Sequence, residues 1–320
     1  MNVPYEQQTL CTANPAPIHI ICAADAMYGP YAGIMLCSIL RTNPDELFHF
    51  HVLSDGIRQR DVRRIAALVE GGPSKVFVYD LKTKLEQHPY VLKISHHLTR
   101  ATYARFFFDS LLPTNVQHAI YVDCDVVCLA PIRELWAFGK SVPLLAATPD
   151  QGESTSLKET LGIPSHGNYY NCGVLLLNME RWRRSNVGAR LLEFIANNSD
   201  KIYWLDQDTI NGVLWSDIVE LPRRWNVMLA SMPRNRAKED IEDAVIIHFN
   251  GGFKPWHYRY EGPYKREFHH AKKASPWKWQ MPIFPLVTRI LSVIENPDRL
   301  KKAIARRVCI LARKVRGNLL

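Results

Sequence analysis

His118-Ala119-Ile120-Tyr121-Val122-Asp123-Cys124-Asp125-Val126-Val127-Cys128-Leu129 is the stretch on which the fold turns. It is an apolar, β-branched run suited to a buried strand, and it carries two carboxylates at i and i+2. Ionised carboxylates at the end of a buried strand are costly unless a cation neutralises them. Mg²⁺ or Mn²⁺ does so, because hard cations take carboxylate oxygens and bridge to phosphates. A turn at the strand end aims both carboxylates at one ion, which unbroken strand alternation does not. Asp-x-Asp has a second reading, a solvated turn closed by an Asx hydrogen bond.

Outward from this run, apolar strands alternate with helical periodicity. Ile18–Ala24 reads as a strand ending at Asp25, and Tyr31, Met35, Leu36, Ile39 and Leu40 recur at helical spacing until Asn43-Pro44. Phe48–Leu53 is a strand, Val62, Ile65, Ala66 and Val69 mark a helix, and Lys75–Tyr79 is a strand. Thr99–Leu112 reads as one helix. Strands at Leu144–Ala147, Gly173–Leu177 and Ala244–Phe249 follow, with helices over Val187–Ala196 and Asp206–Trp215. This alternation predicts an α/β fold with a largely parallel sheet. Ligands of such sheets bind beyond the carboxyl ends of the strands, where Asp25, the aspartate pair and His248 stand. Imidazole is an acceptable Mn²⁺ ligand beside two carboxylates. Gly251 and Gly252 let the backbone approach a phosphate, and Lys254 adds a point charge.

The 320 residues are 47% apolar and 22% charged, which excludes disorder, collagen-like repeats and a polytopic membrane protein. The net charge of +9 is uneven: Tyr264–Leu320 carries +11 and the rest −2. The boundaries read as a lead-in over 1–17, a main domain over 18–263 and a basic region over 264–320. Seven cysteines without a CxxC pair predict free, mostly buried thiols in a reducing cytoplasm. The N-terminus lacks the charged and apolar regions of a secretory signal, and no apolar stretch reaches the ~18 residues of a membrane span.

Six segments occur in order: Ile20–Asp25 (IICAAD), Thr102–Phe106 (TYARF), Tyr121–Val126 (YVDCDV), Tyr170–Asn178 (YNCGVLLLN), Asp206–Gly212 (DQDTING) and His248–Trp256 (HFNGGFKPW). With this ordered set the chain resembles the retaining sugar-nucleotide glycosyltransferases of family 8, over roughly residues 18–257, and most closely the bacterial lipopolysaccharide α-galactosyl/α-glucosyl branch. The resemblance implies a GT-A-type, Rossmann-like, mostly parallel sheet flanked by helices, with a C-terminal helical extension. It implies Asp123, Asp125 and His248 as metal ligands. Asp25, with Ala23, falls where the family reads the uracil edge, and Arg105 where an arginine reaches the donor sugar. Asn171, Asp206 and Gln207 match positions beside the sugar ring, Gly251 and Lys254 the segment over the diphosphate, and Asp150, more loosely, an acceptor-side acid. Met27 stands where several relatives have asparagine, and Cys172 where alanine is frequent.

Plainer roles compete at several positions. Asp206 also fits a helix N-cap, Asn171 a turn, Arg105 a surface charge, and Trp204 either a sugar platform or a core residue. Tyr103 and Trp256 read as packing residues. The reaction implied is retaining, metal-dependent transfer of galactose or glucose from a UDP-sugar to a hydroxyl of lipopolysaccharide core or another lipid-linked saccharide. A front-face route is favoured over a covalent one, because Gln207 is a poor nucleophile. The alternative reading is a nucleotidyltransferase or a non-catalytic nucleotide-binding module using the same aspartates.

In the basic region, Leu300, Ile304, Val308, Leu311 and Val315 line one helical face with Lys and Arg around them. This predicts an amphipathic helix on the anionic inner face of the cytoplasmic membrane, with Trp277, Trp279 and Phe284 as interfacial anchors. Packing on the body and nucleic-acid binding are the competing readings; no nucleic-acid module is legible in residues 1–263.

Overall fold

The computed structural model describes residues 16–88, 99–150, 155–230, 243–258 and 260–280. The strands are β1 (Ile18–Asp25), β2 (Phe48–Asp55), β3 (Lys75–Asp80), β4 (His118–Val122), β5 (Val126–Cys128), β6 (Leu145–Pro149), β7 (Tyr170–Asn178), β8 (Ile218–Glu220), β9 (Val227–Met228) and β10 (Ile246–His248). The α-helices are α1 (Gly29–Thr42), α2 (Gln59–Ala66), α3 (Leu81–Glu86), α4 (Phe108–Leu111), α5 (Arg133–Gly139), α6 (Thr155–Thr160), α7 (Met179–Arg184), α8 (Val187–Asn197), α9 (Asp206–Leu214) and α10 (Lys265–Ala274).

Seven strands form the main sheet in the order β3-β2-β1-β4-β7-β6-β8. Strands β3, β2, β1 and β4 are mutually parallel, β7 runs antiparallel to both its neighbours, and β6 and β8 are parallel. The chain builds β2 and β3 on one side of β1 and then crosses to place β4 on the other, so the topological switch point lies between β1 and β4. Side-chain alternation along β1 supplies both faces: Ile18, Ile20 and Cys22 pack with α1, while Ile21 and Ala23 pack with Tyr103, Phe106 and Tyr121. Helix α1 takes Pro30 in its first turn, and Asn43 stops it by donating to the Ile39 carbonyl at 2.8 Å.

Two elements differ from their sequence reading. The run His118–Leu129 breaks at the turn expected after Val122, where β4 ends, but its second half is a further strand, β5, in a separate three-stranded sheet of order β5-β10-β9. The Asp123–Asp125 turn redirects the chain and is held at both ends. Asp123 N–H donates to the Gly173 carbonyl at 2.8 Å, and Phe249 N–H donates to the Asp125 carbonyl at 2.9 Å. The expected helix Thr99–Leu112 is a 3₁₀ segment over Arg100–Phe107 followed by the single turn of α4. Within it the Arg105 guanidinium donates to the Thr102 carbonyl at 3.0 Å, taking an acceptor that an α-helical ladder uses.

The basic region expected to start at residue 264 begins with a segment built into the body. In α10, Phe268 and Ala271 are buried, and beyond it the Trp277 indole lies against Gly33 of α1 and donates to Asp61 at 2.9 Å. Trp277 is therefore a core residue and not an interfacial anchor, because the missing side chain of Gly33 leaves the slot its ring fills. Trp279 is 84% exposed. Phe284 and the amphipathic stretch 298–316 lie outside the described residues. Cys22, Cys37, Cys124, Cys128 and Cys172 are buried free thiols. Among the described residues no helix is long and apolar enough to cross a membrane.

Candidate active site

Beyond the carboxyl ends of β1 and β4, a cavity of roughly 350 Å³ opens between the two sheets. It brings together Arg105, Asp123, Asp125, Asp150, Asn171, Asp206, Gln207, His248, Gly251 and Lys254. A smaller cavity of roughly 80 Å³ adjoins it at Asp123 and Asp125 and is lined by Ala23, Ala24 and Tyr28. Asp25 stands next to Ala24; its Oδ1 accepts from Met27 N–H and Tyr28 N–H, both at 2.8 Å. One of its oxygens thus closes the turn after β1. Met27 itself is half exposed.

His248 ends β10 with its Nε2 3.2 Å from Asp125 Oδ1 and 3.9 Å from Asp123 Oδ2. The three ligand atoms lie within 4.8 Å of one another. Neighbouring ligands on one octahedral cation stand about 3 Å apart for bonds of about 2.1 Å, and opposite ones about 4.2 Å. Two carboxylates and one imidazole at these separations fit a hard or borderline divalent cation.

Lys254 reaches Asp125 from the loop after β10. Its buried ammonium donates to Asp125 Oδ2 at 2.5 Å and to the Phe249 carbonyl at 2.7 Å. Burial alone would raise the Asp125 pKa, but the Lys254 ammonium beside it holds it well below the usual carboxylate range.

Arg105 is buried rather than a surface charge. Its Nη2 donates to Asp123 and its Nη1 pairs with Asp206, both at 2.7 Å. Its Nε and Nη2 share the Cys172 carbonyl, and its plane lies 4.2 Å over the Tyr121 ring. Asp206 is the first residue of α9, not its cap, which is Leu205. Its carboxylate accepts from the Thr102 hydroxyl and from Arg105, and burial still pushes its pKa up to about 6.

Asn171 is the hub of an amide network rather than a simple turn residue. Its Oδ1 accepts from Gly173 N–H at 2.9 Å and from Asn226 Nδ2 at 2.9 Å. Its Nδ2 donates to Gln207 Oε1 at 3.1 Å and to Asp150 Oδ2 at 3.3 Å. Gln207 Oε1 also accepts from Cys172 N–H at 3.2 Å. Cys172 is buried beside Arg105 and Asp206, and burial pushes its thiol pKa up.

Sequence reasoning missed Asn226, Thr102 and Asp208. Asp208 accepts from the backbone N–H groups of Tyr203 and Trp204 at 2.6 Å each, and from the Tyr169 hydroxyl at 2.6 Å. It braces the loop in which Leu205 adopts φ +52°, turning Trp204 toward the cavity. The repeated carboxylate in Asp206-Gln207-Asp208 was a readable signal; Asn226, distant in sequence, had none. Tyr103 is buried and Trp256 stacks on Tyr31 at 3.7 Å, both as packing residues.

The family model for glycosyl transferase family 8 matches residues 19–259. General stress protein A of Bacillus subtilis (strain 168) is 30% identical over 277 residues, covering 81% of this chain and 94% of that protein. The lipopolysaccharide 1,2-glucosyltransferase of Escherichia coli (strain K12) is 26% identical over 315 residues, covering 93% and 91%. The lipopolysaccharide 1,3-galactosyltransferase of Salmonella typhimurium (strain LT2) is 26% identical over 256 residues, covering 77% and 74%. The crystal structure of the galactosyltransferase LgtC with donor and acceptor sugar analogues superposes with a TM-score of 0.71 at 24% identity, covering 81% of this chain and 96% of that one, a likeness of fold.

Proposed function

This chain belongs to glycosyl transferase family 8 and is a hexosyltransferase, and from that premise we propose that it transfers galactose or glucose from a UDP-sugar, with retention, to a hydroxyl of lipopolysaccharide core or another lipid-linked saccharide. The observation that carries the reading is the convergence of Asp123, Asp125 and His248 beside the Arg105–Asp206 ion pair in one cavity at the switch point. Family membership removes the nucleotidyltransferase and the non-catalytic module.

Asp123, Asp125 and His248 would hold the cation, Mn²⁺ or Mg²⁺. When bound, it supplies Lewis-acid stabilisation of the charge that builds on a departing diphosphate. Lys254, freed from Asp125, adds its positive charge to that diphosphate, and Gly251 lets the covering backbone come close. The uracil is assigned to the smaller cavity, which Ala23 lines and beside which Asp25 closes the turn after β1. Arg105, with Asp206 fixing its plane, presents a rigid cation toward the donor. Asp150 and Trp204 face the acceptor side.

Both oxygens of Asp206 are engaged, one by Thr102 and one by Arg105. Gln207 Oε1 is held by Cys172 N–H and Asn171. Neither is poised to attack the anomeric carbon, which supports a front-face route in which a departing phosphate oxygen takes the acceptor proton and Gln207 steadies the oxocarbenium-like sugar. The amphipathic stretch 298–316 of the basic region then serves as the anchor on the inner membrane face.

The test is UDP release from a panel of UDP-hexoses with and without Mn²⁺. Asp125→Ala is expected to abolish transfer. Full activity of that variant with unchanged Mn²⁺ dependence refutes the metal assignment.

A further inference from the structure

We infer that Asn226 is a positioning residue that sets the tautomer of His248, so that its Nε2 lone pair faces Asp123 and Asp125. Amide oxygens and nitrogens are assigned from their partners, and this network contains an unambiguous starting point. A backbone N–H can only donate, so the Asn171 atom that Gly173 N–H meets at 2.9 Å is the oxygen. The Asn226 atom that meets this oxygen at 2.9 Å is therefore the amide nitrogen. That leaves the Asn226 oxygen facing His248 Nδ1 at 3.0 Å, where it needs a proton on that nitrogen.

A neutral imidazole with its proton on Nδ1 carries a bare lone pair on Nε2, the atom 3.2 Å from Asp125. Were Asn226 absent, Nδ1 would lose its acceptor and the proton would move to Nε2, where Asp125 accepts it. The ring would then be a hydrogen-bond donor to a carboxylate, with no lone pair for a cation. Asn226 is fully buried, lies just before β9 and spans from β7 of the main sheet to β10 of the small one. It acts through His248 and touches no reacting atom. Outer partners that fix a ligating histidine govern metal affinity by about 10–100-fold.

This inference rests on the metal site proposed above, and its test separates the two. Full-length protein labelled with ¹⁵N-histidine is examined without metal by long-range ¹H–¹⁵N correlation at a pH of about 9, above the free-imidazole range of about 6.5. The His248 signals are those lost in His248→Gln. In the wild type they are expected to show Nδ1 protonated and Nε2 bare. Asn226→Leu is expected to move the proton to Nε2 and to weaken Mn²⁺ binding, followed by electron paramagnetic resonance of free Mn²⁺, by about 10–100-fold. Asn226→Asp keeps an acceptor for Nδ1–H and is expected to keep the wild-type tautomer. A wild-type His248 protonated on Nε2 overturns the inference, whatever the folding of the variants. So does a folded Asn226→Leu protein with unchanged tautomer and Mn²⁺ affinity. Failure of the wild type to bind Mn²⁺ refutes the metal site, while the tautomer of the metal-free protein still decides the role of Asn226.

Discussion

Gly173→Ala should unseat His248 while leaving the protein folded. A Cβ at Gly173 would stand 2.1 Å from His248 Cε1 and 2.6 Å from Nδ1. Non-bonded carbons settle at about 3.5 Å, so something must yield by about 1.4 Å. Strand β7 is an interior strand paired with β4 and β6, and the Gly173 carbonyl holds the Asp123 amide at 2.8 Å. The ring moves instead. Bonds to a metal tolerate about 0.2 Å, so a shift of this size removes His248 from the ligand set. Losing a direct ligand should exceed the effect of losing an outer partner, which puts the drop in Mn²⁺ affinity at or above about 100-fold, or about 2.7 kcal/mol. Overpacking should cost about 1–3 kcal/mol of stability. The assay is Mn²⁺ titration with thermal unfolding alongside, and Gly252→Ala, whose Cβ meets nothing within 4 Å, is the steric control. A folded Gly173→Ala protein that binds Mn²⁺ within about threefold of the wild type refutes the reasoning.

Three further outcomes are expected. The Asp206 pKa, at about 6, lies above its unfolded value of about 3.9, so its stabilising contribution is complete below about pH 4 and is lost as pH rises through 6. In urea unfolding of the metal-free protein, Asp206→Asn should therefore gain on the wild type by on the order of 2–3 kcal/mol between pH 4 and 7; a pH-independent gap contradicts this. Trp277→Ala empties the slot over Gly33 and strips Asp61 of its indole donor, which should cost about 3–5 kcal/mol by urea denaturation; a cost below about 1 kcal/mol would mean that the α10 segment is not part of the body. Truncation after Gln280 should keep the melting temperature and abolish sedimentation with anionic vesicles, whereas truncation after Tyr264 should destabilise; equal sedimentation of full-length and Gln280-truncated protein rejects the anchor.

Much of the site was legible because its residues sit at strand ends, where a periodic apolar run stops at a polar group. Asp25, Asp123 and His248 each follow such a run; Asp123 and His248 line the cavity, and Asp25 follows Ala24, which lines the adjoining one. The 3₁₀ geometry of Arg100–Phe107 was not legible. Helical spacing in a short apolar stretch does not reveal that a buried guanidinium will capture a carbonyl of its own turn. The burial of Trp277 was equally hidden, since an indole amid Pro, Ser and Lys reads as interfacial until Gly33 provides its slot.

Sequence alone determined the α/β alternation, the carboxylates and histidine that end strands, and the +11 charge placed after residue 263, because these depend on local order along the chain. Tertiary structure alone decided which of those groups meet and in what chemical form. Arg105 pairs with Asp123, 18 positions on, and with Asp206, 101 positions on, and Asn226 links β7 to His248. The physical reason is directional: charge and hydrophobicity are carried by each residue, whereas the placement of a proton on one imidazole nitrogen is fixed only by the partner that folding brings to the other.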